Sequence, residues 1–544
     1  MTEKTVLAIQ NLTVALPAWA DRPIAVDNLT LHLNKNEVLC VVGESGSGKS
    51  VMARSIMGLL AAPHVRITGG EILFEEENLL KVDAERMRAI RGNGIGMIFQ
   101  EPMTALNPVM TIGRQIEELL EVHLRLTPAE RKQRVIALMN EVRLPDPERI
   151  YRAYPHQLSG GQRQRAMIVM ALLLEPSILI ADEPTTALDV TTQAQILALI
   201  KELQRKRETG VLFITHDFGV VAEIADRVAV MKHGVLVEVG PAEKILAAPE
   251  HPYTRSLIAA VPGLTPPRRA PRAAAPVVLQ VDDVTKSYQS PSYGFLRRKT
   301  AAARPALSNA AVTVHKGEIV GLIGESGSGK STLARCITRL IDADSGRIAL
   351  NGTDIGALSR KALRPYRRQV QMIFQDPFAS LNPRQTVARQ IAQGPITQGM
   401  PAAEALKEVS RLLELVRLDP SAADRFPHEF SGGQRQRIGI ARALAMNPTL
   451  LVADEPVSAL DVSVQEKILD LLLDIRDRLG VAMLFVTHDL RVAAQICDRM
   501  LVMYQGEIVE QGDTQTVFAD PRHSYTQSLL AAVPGRKWGA TRQA

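Results

Sequence analysis

The chain has 544 residues, of which 46% are hydrophobic and 22% charged, so it can build packed cores and is not a globally disordered protein. The net charge of +6, from 64 Lys and Arg against 58 Asp and Glu, is too slight to identify a nucleic acid or a lipid surface as a partner. Aromatic residues make up 4%, which disfavours base-stacking platforms and a nucleic acid partner, and no apolar run approaches the roughly 20 residues that cross a bilayer.

The first predicted elements are an edge strand, LAIQNLTVAL, and a second strand, EVLCVV, that leads into a glycine-rich loop. Gly43, Gly46 and Gly48 let the backbone curl until its N–H groups point at phosphate oxygens, and the following helix adds the positive end of its dipole. Lys49 can neutralise the β- and γ-phosphates, and the Ser50 hydroxyl can ligate Mg²⁺. A plain Gly/Ser turn is the alternative, which the preceding strand disfavours. The predicted nucleotide contacts are Gly43, Glu44, Ser45, Gly46, Ser47, Gly48, Lys49, Ser50 and Val51.

The next candidate is a glutamine at the end of the predicted strand GMIF. Gln100 follows this strand, and its neutral amide can reach a metal ion or a water molecule without cancelling the charge of the metal. Further on, Thr127 and Glu130 precede the amphipathic run RKQRVIALM in the pattern of a capping box. The sequence therefore predicts a loop that contributes to a metal site, followed by a helix-rich middle segment.

The segment SGGQRQR predicts a second device for binding an anion. Ser159, Gly160, Gly161 and Gln162 offer a hydroxyl and bare backbone N–H groups at a predicted helix start. An isolated Ser-Gly-Gly is usually a turn, so the functional interpretation depends on the motif recurring at a matched spacing before the acid pair that follows.

An apolar strand that ends in two acids, SILIADEP, places Asp182 and Glu183 where ligands of open α/β sheets bind. We expect this strand to be a neighbour of the phosphate-loop strand, with Asp182 holding the water shell of Mg²⁺ and Glu183 polarising the attacking water. Acids before a proline can also simply end a strand. His216 follows VLFI at the same predicted edge. A lone histidine there is more often structural, but this one can contact a γ-phosphate.

The whole set of motifs is written twice. GESGSGKS returns at 324–331, and IFQ, SGGQRQR, ADEP and THD return in the same order. The ending HPYTRSLIAAVPG also returns, as HSYTQSLLAAVPG. A period this long is that of duplicated domains rather than of a solenoid. We predict a first domain at 1–261, a proline-rich linker at 262–276 and a second domain at 277–544, each with a largely parallel sheet covered by helices.

The second copy repeats every candidate residue. Its predicted nucleotide contacts are Gly324, Glu325, Ser326, Gly327, Ser328, Gly329, Lys330, Ser331 and Thr332, with Ser431, Gly432, Gly433 and Gln434 as the second anion-binding segment. The candidate catalytic residues are Gln100, Glu183 and His216 in the first copy and Gln375, Glu455 and His488 in the second. The candidate Mg²⁺ sets are Ser50, Gln100 and Asp182, and Ser331, Gln375 and Asp454. One domain cannot easily aim both phosphate-binding devices at one nucleotide. We therefore expect each nucleotide to lie between Lys49 and Ser431, or between Lys330 and Ser159.

These motifs, in this order and together with Ala187-Leu188-Asp189, resemble the ATP-binding cassette (ABC) superfamily over essentially the whole chain apart from the linker. The resemblance implies two tandem P-loop cassettes, each with a RecA-like α/β core, an antiparallel β subdomain and a helical subdomain. It also implies ATP and Mg²⁺ as ligands, two hydrolysis-competent sites, and nucleotide contacts from Asp189 and Asp461.

A narrower resemblance is to the paired ATPase subunits of dipeptide and oligopeptide importers, here fused. It rests on QEPMTALNP and QDPFASLNP after the glutamines, and on the HPYT and HSYT endings. It implies a peripheral subunit on the cytoplasmic face of a bacterial inner membrane, with two transmembrane permease subunits and a substrate-binding protein as partners. Coupling helices of the permeases would dock near Gln100 and Gln375. Which solute is carried stays open.

Two alternatives and one departure accompany this interpretation. Soluble tandem cassettes that act on ribosomes share the domain number, but their usual linker is long, helical and charged, unlike 262–276. DNA-repair ATPases would insert coiled coils or zinc modules, and neither is seen. Family members present an aromatic residue to adenine before the phosphate loop. Tyr288 fits this in the second copy, whereas Leu16, with Trp19 close by, stands at the matching place in the first.

Overall fold

The computed structural model describes residues 4–185, 188–267, 275–288, 305–458, 460–536 and 538. Contacts divide the chain into two compact units, unit 1 from Met1 to Val261 with the residues from Val533 onward, and unit 2 from Pro262 to Ala532. The sequence-based division differs from these units in the tail, which it assigns to the second domain. The tail packs in unit 1, where the indole N–H of Trp538 donates to the Leu246 carbonyl at 3.4 Å. Residues 268–274 of the predicted linker, and Ala187, lie outside the described residues.

Unit 1 alternates strands and helices in the order that the sequence predicts. Its strands are β1 Thr5–Ala15, β2 Ile24–Asn34, β3 Val38–Val42, β4 Arg66–Phe74, β5 Glu77–Asn78, β6 Ile95–Ile98, β7 Ile178–Asp182, β8 Gly210–Ile214, β9 Arg227–Lys232 and β10 Val235–Pro241. Its helices are α1 Lys49–Ile56, α2 Ala84–Ile90, α3 Pro102–Ala105, α4 Ile112–His123, α5 Pro128–Glu141, α6 Pro147–Arg152, α7 Gly160–Leu172, α8 Val190–Arg207, α9 Phe218–Ile224, α10 Ala242–Ala247 and α11 Pro252–Ala259.

The strands of unit 1 form two sheets within the described residues. An antiparallel sheet has the order β2-β1-β4-β5, and a mixed sheet has the order β10-β9-β3-β8-β7-β6, in which only the β9–β10 pair is antiparallel. The expectation that the strand ending in the acid pair is a neighbour of the phosphate-loop strand is wrong, because β8 lies between β3 and β7. The strand that precedes His216 therefore separates the other two, and all three carboxyl ends reach one sheet edge.

The core of unit 1 fixes α1 between the two sheets. Met52 and Ile56 of α1 are fully buried together with Leu29 of β2, Leu39 of β3 and Ile72 of β4. Because the phosphate loop connects β3 to α1, the burial of both elements holds the loop at the carboxyl edge of the mixed sheet. The helical segment α3–α7 branches from this core, and the predicted capping box of α5, Thr127 with Glu130, is confirmed.

Unit 2 has the same architecture. Its strands are β11 Val277–Lys286, β12 Leu307–His315, β13 Ile319–Ile323, β14 Ser345–Leu350, β15 Thr353–Asp354, β16 Val370–Ile373, β17 Leu450–Asp454, β18 Ala482–Thr487, β19 Arg499–Tyr504 and β20 Glu507–Asp513. Its helices are α12 Lys330–Ile337, α13 Pro377–Ser380, α14 Val387–Thr397, α15 Ala402–Leu415, α16 Gly432–Leu444, α17 Val462–Leu479, α18 Leu490–Ile496, α19 Thr514–Ala519 and α20 Ser524–Ala531. The described strands pair as β12-β11-β14-β15 and β16-β17-β18-β13-β19-β20.

Both units confirm the predicted fold class, an α/β core with an antiparallel β sheet and a helical segment. In the part of the chain that the structure describes, no helix is both long and apolar enough to cross a membrane.

Candidate nucleotide-binding and hydrolysis sites

Two glycines of the phosphate loop of unit 1 stand where a side chain would collide with the backbone of neighbouring strands. Gly43 and Gly48 have φ angles of 152° and 103°, and a Cβ added to them would lie 2.2 Å from the Met231 carbonyl oxygen and 2.5 Å from that of Ala25. The Lys49 Nζ donates to the carbonyl oxygens of Gly43 at 2.6 Å and of Glu44 at 2.9 Å. The loop therefore holds its own lysine in place over a ring of curled backbone, which is the arrangement expected for a phosphate cradle.

The first acid of the pair lies beside the phosphate loop. Asp182 pairs with Ile214 of β8 at the end of β7, and its Oδ1 accepts a hydrogen bond from the Ser50 hydroxyl at 2.9 Å. Burial raises the pKa of the Asp182 carboxyl, the bond from Ser50 opposes this, and the neighbouring charge of Glu183 adds to it. A buried carboxylate with a raised pKa is one that a nearby cation would stabilise.

Glu183, the second acid of the pair, contacts the other two candidate catalytic residues of unit 1. Glu183 has a φ of 47°, in the left-handed region, and its N–H donates to the Ile214 carbonyl at 3.0 Å. Its carboxylate accepts a hydrogen bond from the Gln100 side chain at 3.1 Å and lies 3.3 Å from the His216 Nδ1. The structure therefore brings Gln100, Glu183 and His216 together as the sequence predicts.

Unit 2 repeats this geometry. Ser331 donates to Asp454 at 3.1 Å, and Glu455, with a φ of 46°, accepts from Gln375 at 2.9 Å and lies 3.1 Å from the His488 Nδ1. Although burial acts against both charges, the contact between them lowers the pKa of Glu455 and raises the pKa of His488. Each of these two groups therefore favours the charged form of the other.

The two SGGQRQR segments form capping boxes at the start of α7 and α16. The Ser159 hydroxyl accepts from the Gln162 N–H at 3.3 Å, and the Gln162 side chain accepts from the Ser159 N–H at 3.1 Å. Ser431 and Gln434 do the same in unit 2.

The sequence analysis missed a second role in these segments, that of the last glycine of each. A Cβ on Gly161 or Gly433 would lie 2.8 Å from a methyl of Thr192 or 2.3 Å from one of Val464. These glycines therefore let α7 pack on α8 and α16 on α17.

The two aspartates predicted to contact nucleotide lie at helix starts. Asp189 caps α8, where its Oδ1 accepts from the Thr192 N–H at 2.9 Å and from the Thr191 hydroxyl at 2.8 Å. Asp461 occupies the matching position ahead of α17. Their contact with nucleotide stays a prediction.

The segments ahead of the two phosphate loops differ. Tyr288 is 53% exposed, and its hydroxyl lies 3.4 Å from that of Thr332 on α12. In unit 1, Leu16 packs against the core, and the exposed Trp19 follows it. Arg22, which the sequence analysis missed, donates to the backbone carbonyls of Gly46 and Ala25 and so places a cation beside the phosphate loop. No local sequence pattern around Arg22 predicts its contact with the phosphate loop.

A groove lies beside Gln375, the candidate catalytic glutamine of unit 2. It has a volume of about 880 Å³. Its lining combines apolar side chains such as Phe374 and Met446 with three arginines, two aspartates and several glutamines: Arg335, Arg367, Arg442, Asp376, Asp454 and, among the glutamines, Gln375. Phe374 is 40% exposed, so part of this apolar lining faces solvent.

Comparison with known proteins gives matches over nearly the whole chain. The ABC transporter family model matches residues 26–186 and 307–458, and the oligopeptide/dipeptide transporter C-terminal region matches 237–286 and 509–542. The glutathione import ATP-binding protein GsiA of Salmonella choleraesuis (strain SC-B67) is 47% identical, over 98% of this chain and 90% of that protein. Its counterpart in Escherichia coli (strain K12) is 48% identical, over 97% and 89%. The solved dimeric cassette MJ0796 is 30% identical, over 43% of this chain and 98% of that chain, with a TM-score of 0.39.

Proposed function

The chain belongs to the ABC transporter family, and from this membership we propose that it is the ATP-hydrolysing, energy-coupling subunit of an importer for glutathione or related short peptides. The observation that carries the proposal is the similarity to glutathione import ATP-binding proteins along nearly the full length of both proteins. The oligopeptide-type C-terminal region, matched in both halves, supports the same substrate class. Both observations favour the importer over the ribosome-associated alternative.

The residues around each catalytic glutamate can carry out ATP hydrolysis. Lys49 binds the phosphates, while the Glu183 carboxylate accepts a hydrogen bond from the attacking water and orients it toward the γ-phosphorus. His216 holds the other side of this carboxylate and can contact the γ-phosphate, so its position depends on whether that phosphate is present. The expectation that Ser431 completes the site of Lys49, and Ser159 that of Lys330, stays a prediction.

We propose Mg²⁺ as the cofactor of both sites. Its preferred ligands are oxygens, and the Ser50 hydroxyl lies 2.9 Å from Asp182, a buried carboxylate that gains from a cation. Ser50, Asp182 and the amide oxygen of Gln100 would hold the ion, as would Ser331, Asp454 and Gln375 in unit 2. When bound, the ion would neutralise charge on the phosphates.

We propose that the chain docks, as a peripheral subunit, on two permease subunits at the cytoplasmic face of the membrane. The groove beside Gln375 supports this, because it offers exposed apolar surface flanked by Arg335, Arg367 and Arg442 next to a residue of the hydrolysis site. A permease helix seated there would contact the loop that carries Gln375. The permeases would in turn receive solute from a substrate-binding protein.

Reconstitution in lipid vesicles tests this function. The chain would be purified with two permease subunits of the glutathione-importer type, and uptake of labelled glutathione would be measured with the matching binding protein outside. We expect uptake that needs internal ATP and fails with Glu183→Gln/Glu455→Gln. Uptake of other solutes but not of glutathione or short peptides would contradict the substrate class. Stimulation of the ATPase by ribosomes rather than by the loaded binding protein would contradict the importer role.

A further inference from the structure

Each copy ends in a short extension with a tyrosine at its start. The extension of the first copy is α11 with the following residues up to Thr265, and that of the second copy is α20 with the residues up to Trp538. Tyr253 is 8% exposed at the first turn of α11, and Tyr525 is half-buried at the first turn of α20. The hydrolysis chemistry described above does not use either tyrosine.

The tyrosine hydroxyl of each extension binds the phosphate loop of its own copy. The Glu44 N–H donates to the Tyr253 hydroxyl at 3.3 Å, and that hydroxyl lies 3.2 Å from the Glu44 carboxylate. The Glu325 N–H donates to the Tyr525 hydroxyl at 2.9 Å. Neither contact involves the residues that carry out hydrolysis, so their effect on the reaction must be indirect.

The bonded N–H belongs to the same peptide group as the carbonyl that holds the phosphate-loop lysine. The Gly43 carbonyl accepts from the Lys49 Nζ at 2.6 Å, and the Glu44 N–H on the other side of this peptide bond reaches Tyr253. Because a peptide group is planar, fixing its N–H also fixes the direction of its carbonyl. Tyr253 therefore helps to fix the direction of one of the two carbonyls that hold Lys49, and Tyr525 does the same for Lys330.

The far end of each extension lies in the other unit. Past Val261 the chain enters unit 2, where the Gln495 side chain of α18 donates to the carbonyls of Gly263 at 2.8 Å and Thr265 at 3.2 Å. Past Ala532 the chain enters unit 1, where the Gly535 N–H donates to the Glu223 carboxylate of α9 at 2.9 Å.

The hydrogen bonds that hold the far ends of the two extensions involve equivalent positions but different chemical groups. Gly263 and Gly535 are separated by 272 positions, as are Glu223 and Gln495. In unit 2 a side-chain amide donates to backbone carbonyls, and in unit 1 a backbone N–H donates to a carboxylate. The same pair of positions is therefore bonded in both copies, by different chemical groups.

The helices that carry Glu223 and Gln495, α9 and α18, begin two residues after His216 and His488. The side chain of Asp489, next to His488, caps α18, and that of Asp217, next to His216, caps α9. A displacement of the histidine when the γ-phosphate is lost would therefore be transmitted along one short helix to Gln495 or Glu223. Each of these residues holds the extension whose tyrosine sets the phosphate loop of the other copy.

We propose that the two C-terminal extensions couple the two ATP sites reciprocally, with Tyr253 and Tyr525 as positioning residues for the phosphate loops. The histidine end of unit 2 acts through Gln495 and α11 on Lys49, and the histidine end of unit 1 acts through Glu223 and α20 on Lys330. This inference rests on ATP hydrolysis by the chain and is independent of which solute the transporter carries.

The positioning role is tested with Tyr253→Phe in the full chain assembled with its permeases. Phenylalanine keeps the ring over which the Lys232 ammonium lies at 4.6 Å, so only the hydroxyl is removed. We expect the ATP concentration for half-maximal hydrolysis to rise about two- to tenfold, the effect of one hydrogen bond, with kcat nearly unchanged. An unchanged half-saturating ATP concentration, or a loss confined to kcat, would overturn the positioning role.

The coupling is tested by combining this variant with changes at the two anchors. Gln495→Ala removes the bonds to Gly263 and Thr265, and Gln495→Glu, which keeps the size of the side chain, serves where the alanine variant melts early. We expect Tyr253→Phe/Gln495→Ala to show a half-saturating ATP concentration no higher than that of the more affected single variant, because both changes break one connection. If the double variant showed the product of the two single fold-changes in half-saturating ATP concentration, the proposal would be overturned.

Glu223→Ala provides the matched control, because Glu223 anchors the other extension although it lies in the same unit as Tyr253. We expect the fold-changes of Tyr253→Phe and Glu223→Ala to multiply. If this control pair were as non-additive as the test pair, the coupling would not follow the extensions, and the proposal would be wrong.

Discussion

Each candidate catalytic glutamate lies in a backbone conformation that residues other than glycine rarely adopt. Glu183 and Glu455 have φ angles of 47° and 46°, which cost free energy that the surrounding structure must supply. The bond from each glutamate N–H to the adjacent strand supplies part of it, because it ties the residue to the end of β8 or β18. The strain aims the carboxylate at the glutamine and the histidine instead of along the strand, so its presence in both copies is consistent with two active sites.

Replacing both glutamates by glutamine is expected to separate ATP binding from hydrolysis. An amide of the same shape keeps the contacts with Gln100 and Gln375 but cannot accept a proton from the water. Glu183→Gln/Glu455→Gln should therefore bind ATP with wild-type affinity and lose at least about 100-fold in turnover, the usual contribution of general base catalysis. Equilibrium binding of a fluorescent ATP analogue and steady-state phosphate release measure the two properties. Wild-type turnover in the assembled transporter would contradict the assignment.

The two buried aspartates, which are proposed as Mg²⁺ ligands, are expected to lower the free energy of unfolding. Burial raises the pKa of Asp182 and Asp454, so the ionised forms present at neutral pH cost folding free energy. Asparagine removes the charge and still accepts the bond from Ser50 or Ser331. Asp182→Asn/Asp454→Asn should raise the nucleotide-free Tm at pH 7.5 by about 2–4 °C, the shift that ~1 kcal/mol produces in a domain of this size. The same variant should lose ATPase activity.

The pH dependence of that gain gives the control. A carboxyl whose folded pKa is raised is most stable when protonated, so the wild type loses this stability as the pH rises through the folded pKa. The difference in Tm between variant and wild type should therefore shrink as the pH is lowered from 7.5 to 3.8, the ordinary pKa of an aspartate. A difference that stays constant over this range would show that the gain does not come from the carboxylates.

At the scale of elements, motif positions follow from the sequence but strand order does not. The phosphate loops, the acid pairs and the Thr127–Glu130 capping box are local patterns with a fixed geometric meaning, and the structure has them where the sequence predicts. The insertion of β8 between β3 and β7 depends on how crossovers wind around the sheet, which local patterns do not encode. The packing roles of Gly161 and Gly433 were missed for the same reason, because they depend on a helix more than 20 residues away.

Gly433, the second glycine of the SGGQRQR segment in unit 2, is expected to contribute to the stability of unit 2 apart from any role in binding. In Gly433→Ala the new methyl would lie 2.3 Å from a Val464 methyl, which overpacks the contact between α16 and α17. We expect a loss of about 1–3 kcal/mol in the free energy of unfolding of unit 2. Val464→Ala in the same chain should restore most of it. Gly432→Ala is the matched control, because its Cβ would lie 3.7 Å from Leu460, an ordinary contact. Equal losses in both glycine variants, measured by urea unfolding, would contradict this packing role.

At the scale of the whole molecule, the two copies share the contacts of their candidate catalytic residues but differ in the segments around them. The catalytic contacts agree between the copies to within a few tenths of an ångström, whereas the segments that precede the phosphate loops have diverged. Tyr288 lies against α12 in one copy, and Leu16 and Arg22 stand near the matching place in the other. The tail was assigned to the second domain by sequence because its motif repeats there. Only tertiary contacts reveal that its end packs in unit 1.

This divergence predicts that the two sites fill with nucleotide at different ATP concentrations. An aromatic ring stacked on a base contributes ~1–3 kcal/mol. Tyr288 is exposed ahead of the loop of Lys330, where the family resemblance predicts such a ring, whereas Leu16 is a partly buried aliphatic residue that packs against the core of unit 1. Photolabelling with an azido-ATP, followed by digestion and mass spectrometry, should label the loop of Lys330 at an ATP concentration about tenfold lower than the loop of Lys49. Tyr288→Leu should bring the two labelling curves together, while Trp19→Ala should leave the difference in place. Equal labelling of the two loops in the wild-type chain across the ATP titration would contradict this prediction.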